Sequence, residues 1–359
     1  MVGLKKGQMK IIWKSDIFNP TGIATANREM VKALDKRDDV EIQCFDIWHS
    51  KYEFNKGLEH LNKAIDAKDA NTIFAGYPQT WEGGYGDLIG HPIHEGTRLI
   101  PGWNRLINRC KKIFVCSEAN KNLYKWNDVI IPIKVINYGT NPELYKPGPK
   151  VDNKIYTFLS VNSWTGKEGD RKGTDLLIKA FDEEFKEGEA KLILKIGTFW
   201  QKPIDYNQAV KNILGHENKD IIINSEYVSE EELVKFYQKA DCFVAPTKGE
   251  GFGMTILNAM AVGLPVCVTK DINSGHMDFC KGKPSVVWID APEVEQGDRR
   301  FYCEGNMLAK PDFESIKESM RIAFDKRKEL RGRALEVSKE IREHWTWTKT
   351  AEKIVEFLK

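Results

Sequence analysis

Apolar positions along the chain follow two alternating patterns. Short runs rich in β-branched and aromatic residues recur at 9–13, 40–45, 72–75, 112–116 and 135–137 in the first half. They return at 156–161, 191–196, 221–224, 242–245, 266–269 and 286–289 in the second. Several are continuously apolar, as parallel strands covered on both faces are. Between them the spacing becomes helical. Leu233, Phe236, Tyr237 and Ala240 repeat at i, i+3, i+4 and i+7, behind a capping box of Ser229 and Glu232. Leu177, Phe181 and Phe185 form a second stripe, and beyond about Pro311 the chain reads as helix. The alternation predicts an α/β architecture of parallel sheets.

It pauses once, in the Pro/Gly-rich stretch 140–149. The expected organisation is a doubly wound Rossmann-like domain over 1–149, a second over 150–343, and a C-terminal helix over 344–359 that packs back on the first. Two such domains facing each other would form an interdomain cleft, and open α/β sheets take ligands at the carboxyl ends of their strands. The uncharged stretch 251–269 is long enough to imitate a membrane span. Gly253, Asn258, Gly263 and Pro265 divide it into a helical and a β-branched half, so a buried helix followed by a buried strand is expected.

Composition narrows the classes. Of 359 residues, 54 are Lys or Arg and 52 Asp or Glu, a net charge of +2 that gives no footprint for bulk nucleic-acid binding. Hydrophobic residues at 41% and charged residues at 30% exclude a disordered or collagen-like chain. The seven cysteines form no CxxC pair, which argues for buried reduced thiols rather than zinc or disulfides. The polar, basic first residues have no apolar core. The expected location is cytoplasmic, with or without peripheral attachment to a membrane.

Three loops could carry chemistry. The densest follows the 242–245 strand: Pro246-Thr247-Lys248-Gly249-Glu250-Gly251-Phe252-Gly253, running into a helix. Glycines allow close approach of a ligand, the helix start offers amides to an anion, and Glu250 can accept from hydroxyls. That combination suits a ligand with phosphates and hydroxyls, such as a nucleotide sugar; a tight turn with a solvated glutamate is the alternative. In the second loop, Arg171 and Lys172 stand at the start of a helix, where cations are unfavourable by ~0.3–1 kcal/mol each unless an anion lies between. Glu168, Asp170 and Asp175 could equally offset them in a solvated loop. The third, Asn19-Pro20-Thr21-Gly22-Ile23-Ala24, occupies a phosphate-binding position but is not GxGxxG, which counts against a dehydrogenase. GxSxG, HExxH, GxxxxGK[ST] and DxD are absent, so neither metal nor cofactor is expected. His91 and His94 are candidates for structural or ligand-contacting histidines.

Together with Tyr227-Val228-Ser229, Ala240-Asp241-Cys242-Phe243-Val244-Ala245-Pro246 and Asn258-Ala259-Met260-Ala261-Val262-Gly263-Leu264-Pro265, these motifs resemble the retaining GT-B glycosyltransferases of family four, the glycogen-synthase-like and mannosyltransferase-like group 1. Glu95-Gly96-Thr97-Arg98 and Ser117-Glu118-Ala119-Asn120 are similar to a subgroup of them. The resemblance implies a nucleotide diphosphate sugar donor, such as UDP-glucose or GDP-mannose, and retention by same-face attack of an acceptor hydroxyl. It implies catalytic roles for Lys172, Glu250 and His94, with Arg171 beside Lys172 on the diphosphate. Gly22, Val228, Gly251, Phe252, Gly253, Met254, Thr255 and Asn258 would border the donor, and Glu95 the acceptor.

Two positions depart from the family pattern. Asn258 stands where a second glutamate, eight positions after Glu250, usually binds ribose hydroxyls, and Asn162 and Ser163 stand where many members carry an arginine. Asparagine can donate and accept but carries no charge, so altered nucleotide recognition is expected. A non-catalytic binder and a sugar-nucleotide epimerase share the architecture. The acceptor stays open between glycan, lipid, metabolite and modified nucleobase. The aromatic, glycine-rich stretch 77–86 is a candidate acceptor rim.

Overall fold

The computed structural model describes residues 8–47, 57–149, 153–197 and 204–359. The chain forms two compact units, one of Met1–His94, Arg98–Gly139 and Trp345–Lys359, the other of Glu95–Thr97 and Thr140–His344.

In the first unit, β1 (Met9–Ser15), α1 (Gly22–Asp35), β2 (Val40–Asp46), β3 (Asn71–Gly76), β4 (Asp87–Pro92), α2 (Trp103–Ile107), β5 (Lys112–Val115), α3 (Glu118–Trp126) and β6 (Ile133–Val135) follow one another. The six strands form a parallel sheet in the order β2-β1-β3-β4-β5-β6. Ile11, Ile12 and Trp13 are buried because the sheet is covered on both faces. Thr21 caps α1 by accepting from Ala24 N–H, and the helix buries Met30, Val31 and Leu34. Two expectations change. Strand β4, with Gly90, His91 and Pro92, lacks the β-branched run that marks its neighbours. The last strand lies at 133–135 rather than 135–137, since β5 pairs only as far as Val115 before passing into Ser117, the N-cap of α3.

The second unit contains β7 (Tyr156–Asn162), α4 (Thr174–Glu184), β8 (Ala190–Ile196), α5 (Tyr206–Leu214), β9 (Ile221–Asn224), α6 (Glu230–Lys239), β10 (Cys242–Ala245), α7 (Met254–Ala261), β11 (Val266–Thr269), α8 (Met277–Cys280), β12 (Val286–Ile289), β13 (Glu293–Gln296), β14 (Met307–Lys310), α9 (Phe313–Asp325) and α10 (Arg327–His344). The main sheet is parallel, in the order β12-β11-β10-β7-β8-β9. This is the doubly wound Rossmann arrangement, and the winding reverses between β7 and β10. Phe158, Phe181, Leu192, Leu194 and Met320 form its core. The capping box of Ser229 and Glu232 is present on α6. The uncharged stretch 251–269 holds α7 and β11, both buried as the pattern predicts. The antiparallel hairpin β13–β14 escapes a hydrophobic-pattern reading because three of the four residues of Glu293–Gln296 are polar or charged.

Helix α11 (Trp347–Leu358) packs against α1 in the first unit, and Phe357 lies edge-on to Phe114. The chain divides at Gly139 and Thr140, earlier than the expected 149/150 boundary. The segment after Gly139 is tied to the second unit by Thr140 on Asn258, Tyr145 on Tyr237 and Gln238 on the Lys146 carbonyl. All seven cysteines are free thiols, and Cys303 alone is partly exposed. Among the described residues no helix is long and apolar enough to cross a membrane, and no cluster of three His, Cys, Asp or Glu is placed to hold a metal.

Candidate active site

The two loops singled out in the second half follow β7 and β10, the adjacent strands at which the winding reverses. Crossovers leave such a point in opposite directions, so the strand ends there form a natural ligand crevice. The loops are joined directly. Lys248 N–H donates to the Arg171 carbonyl at 2.8 Å, and the Arg171 guanidinium donates to the Gly249 carbonyl. Gly173 has φ +66°, and a Cβ there would lie 2.2 Å from the Pro246 carbonyl oxygen. Only glycine permits that approach.

The joined loops bring Lys172 Nζ to 2.5 Å from Glu250 Oε1. Arg171 lies 3.8 Å from Glu250 Oε2 and 3.4 Å from Glu95 Oε1. Thr247 Oγ1 donates to Glu250 Oε1 at 3.1 Å. Burial by itself would raise the Glu250 carboxyl, but the Lys172 and Arg171 cations outweigh it and hold the pKa at about 2. Burial, reinforced by Arg171, pushes the Lys172 ammonium below its ordinary value against the pull of Glu250. The result is a compact group of two cations and two carboxylates at the sheet's carboxyl edge. Anionic oxygens entering it would meet fixed positive charge beside an acceptor for hydroxyls.

The backbone at Glu250 is clamped from the loop after β11. Glu250 N–H donates to Ser274 Oγ at 3.2 Å, and Gly275 N–H donates to the Glu250 carbonyl at 2.7 Å. A Cβ on Gly275 would lie 2.1 Å from the Gly251 carbonyl oxygen. His276 is buried beside Gly253; its Nε2–H donates to the Thr269 carbonyl at 2.7 Å, and its Nδ1 has no hydrogen-bond partner among the described residues. Sequence reasoning assigned nothing to Ser274, Gly275 or His276. Their position just after a strand of the same parallel sheet was the available signal.

The other expected residues fall in several places. Gly251, Phe252 and Gly253 are buried, and Gly253, at φ +95°, caps α7, whose first turn carries Met254 and Thr255. Asn258 lies one turn further, with Oδ1 accepting from Thr140 Oγ1 at 2.8 Å. Val228 is half-buried in the loop after β9, next to exposed Tyr227. Glu95, expected on the acceptor side, belongs to the second unit and lies beside Arg171.

Gly22 and His94 lie in the first unit. Gly22 opens α1 directly after its Thr21 cap. His94 is buried, with Nε2 bonded to the Arg98 carbonyl at 3.1 Å and its ring edge-on to Trp103. His91 is a core residue. Nδ1–H donates to the Phe114 carbonyl at 2.9 Å, Nε2 accepts from Tyr138 at 2.8 Å, and burial pulls its pKa down to about 4. In the candidate rim, Trp81 is buried against Phe74, whereas Tyr77 and Tyr85 are exposed.

Residues 152–298 match the family model described as glycosyl transferases group 1. Mannosylfructose-phosphate synthase of Agrobacterium fabrum is 37% identical over 108 residues, covering 29% of this chain and 24% of that protein. The chain spans 24 to 61% of the lengths of the curated relatives it matches. Among solved structures, Anabaena HepE in complex with UDP and glucose superposes with a TM-score of 0.71 at 15% identity, over 98% of this chain and 99% of that one. Sucrose-phosphate synthase from Thermosynechococcus elongatus gives 0.69 at 13% identity, over 98% of both. Residues 152–298 of the second unit are thus similar to the glycosyl transferases group 1 family, and the chain has the two-sheet GT-B fold of these structures.

Proposed function

We propose that this protein transfers a sugar from a nucleotide diphosphate sugar to an acceptor hydroxyl, with retention at the anomeric carbon. The observation that carries the reading is the Lys172–Glu250 pair, with Arg171 beside it, at the winding reversal of a Rossmann sheet. As the bond from the anomeric carbon to the diphosphate breaks, negative charge grows on the leaving oxygens. Lys172 and Arg171 stabilise it, aided by the amides of Gly251, Phe252 and Gly253 at the start of α7. Donor binding turns Lys172 from Glu250 towards phosphate, freeing the carboxylate to accept from hydroxyls of the transferred sugar. Met254, Thr255 and Asn258 follow on the nucleotide side, and Val228 borders the base. The acceptor hydroxyl attacks from the face the diphosphate leaves and passes its proton to a departing phosphate oxygen. Charge stabilisation is thereby assigned to side chains and helix ends rather than to a metal.

The relatives' names indicate where to begin. HepE was solved with UDP-glucose, and two synthases act in the formation of sugar phosphates by name. UDP-glucose and GDP-mannose are therefore the first donors to test. Each is incubated with the protein alone, then with fructose 6-phosphate, glucose and a short glycan. Release of the nucleoside diphosphate that depends on an acceptor, and is lost in Lys172→Ala, supports the reading. Donor binding without release favours a binder, and a changed sugar without acceptor favours an epimerase.

A further inference from the structure

The hairpin β13–β14 grips the glycine loop and the segment Glu95–Thr97 at once. Lys248, buried within the glycine loop, pairs through Nζ with Glu295 Oε1 on β13 at 2.7 Å. On β14, Ala309 N–H donates to the Lys248 carbonyl at 2.8 Å, and a Cβ on Gly249 would lie 3.1 Å from Leu308. The loop of the hairpin then reaches Glu95–Thr97. Tyr302 O–H donates to Glu95 Oε2 at 3.3 Å, Asn306 Nδ2 to the Glu95 carbonyl at 3.3 Å, and Met307 N–H to Thr97 Oγ1 at 3.0 Å. Gly96, at φ +90°, lies so close to the Asn306 amide that a Cβ would come within 2.5 Å of it. Glu95 is thus fixed at its backbone and at one carboxylate oxygen. The other oxygen, Oε1, faces Arg171 at 3.4 Å.

We infer that Glu95, held by Tyr302 of the hairpin, is a positioning residue that parks and aims the Arg171 guanidinium. This rests on the reading of Arg171 as a diphosphate-binding group. Around Arg171 lie one backbone carbonyl, that of Gly249, and two carboxylates, Glu250 at 3.8 Å and Glu95 at 3.4 Å. The two carboxylate contacts are long, so the carbonyl bond fixes one end of the guanidinium fork and Glu95 sets the direction of the other. A long contact also yields readily when a more highly charged anion arrives. Glu95 therefore opposes anion binding slightly while it raises the fraction of sites in which the guanidinium points correctly. Tyr302 acts one step further out, by denying Glu95 a second rotamer.

The test uses Glu95→Gln and Tyr302→Phe in the full chain, with inorganic pyrophosphate as a calorimetric probe and, for turnover, whichever of UDP-glucose and GDP-mannose supports release of the diphosphate. Glu95→Gln keeps the side chain's size and hydrogen-bonding reach but removes its charge. The expected signature is a split: pyrophosphate binds several-fold more tightly, whereas kcat falls about tenfold and donor KM does not rise. Tyr302→Phe moves kcat in the same direction by about threefold. Glu95→Asp, which restores the charge at shorter reach, recovers the parental pyrophosphate affinity. Pyrophosphate affinity and kcat both unchanged in Glu95→Gln would overturn the assignment, as would weaker pyrophosphate binding with a lowered melting temperature, the mark of a purely structural prop. The pyrophosphate arm needs no turnover. If the parent binds pyrophosphate with the expected sensitivity to Glu95 but releases nothing from any donor, transfer fails and the positioning role stands.

Discussion

Thr140 Oγ1 donates to Asn258 Oδ1 across 2.8 Å, linking the first residue after the chain's division to the second turn of α7. The bond takes one lone pair of the amide oxygen and leaves the other, with the Nδ2 hydrogens, for a ligand. A glutamate there could accept from Thr140 and keep lone pairs for ligand hydroxyls.

Asn258→Glu should therefore tighten UDP binding by roughly three- to tenfold, since a charge-assisted hydrogen bond exceeds a neutral one by about 1 kcal/mol. Calorimetric titration with UDP reads this directly. An unchanged dissociation constant would put Asn258 out of the nucleotide's reach.

Lys172→Met should cost at least a hundredfold in kcat, about 3 kcal/mol of lost charge stabilisation. Its cost in stability should be smaller, on the order of 1–2 kcal/mol, because both partners of the ion pair retain some solvent contact and Arg171 still faces Glu250. The double variant Lys172→Met/Glu250→Gln should regain most of that stability without regaining activity. Urea unfolding and donor turnover on the same samples separate the two effects.

Gly275→Ala places a methyl group against the Gly251 carbonyl and Phe252 Cα, backbone atoms that cannot rotate away. The glycine loop must then shift off Ser274 and Gly275. The expected result is a loss of about 1–3 kcal/mol together with a large fall in turnover. Gly332→Ala is the counterpart: it lies inside α10, with nothing within 4 Å of the added carbon. That substitution should stabilise by about 0.5–1 kcal/mol and leave turnover unchanged. Thermal melting and donor turnover check both.

His91 makes the first unit sensitive to acid. Its pKa drops from 6.5 to about 4 because burial disfavours the charged ring, against the opposing pull of the Phe114 carbonyl. The unfolded chain takes the proton first, so stability is full above about pH 6.5 and declines as pH falls towards 4. Between pH 7 and pH 5 the loss should be on the order of 2 kcal/mol. His91→Phe will be less stable at pH 7, but its stability should fall less between those two pH values. Urea midpoints at pH 7 and pH 5, for parent and variant, test the difference in slope.

Local sequence determined most of the scaffold. The strands at 221–224, 242–245, 266–269 and 286–289 are legible because each is an apolar run bounded by breakers, and α6 because Ser229 and Glu232 cap it. Arg171, Lys172 and Glu250 stood out because charges beside glycines at helix starts conflict with ordinary local stability. Sequence could not report what depends on contacts between distant segments. Strand β4 is held by neighbours on both sides rather than by its own propensity, and β13 by the register of β14. Glu95 reads locally as one residue of a short motif near His94, yet it is fixed by Tyr302 and Asn306, more than 200 positions away. Ser274 and Gly275 gain meaning only when winding of the sheet brings the end of β11 beside that of β10. Periodicity and capping are properties of a few consecutive residues, whereas the direction of a guanidinium or the clamp on a glycine loop is set by whichever strand ends the topology makes adjacent.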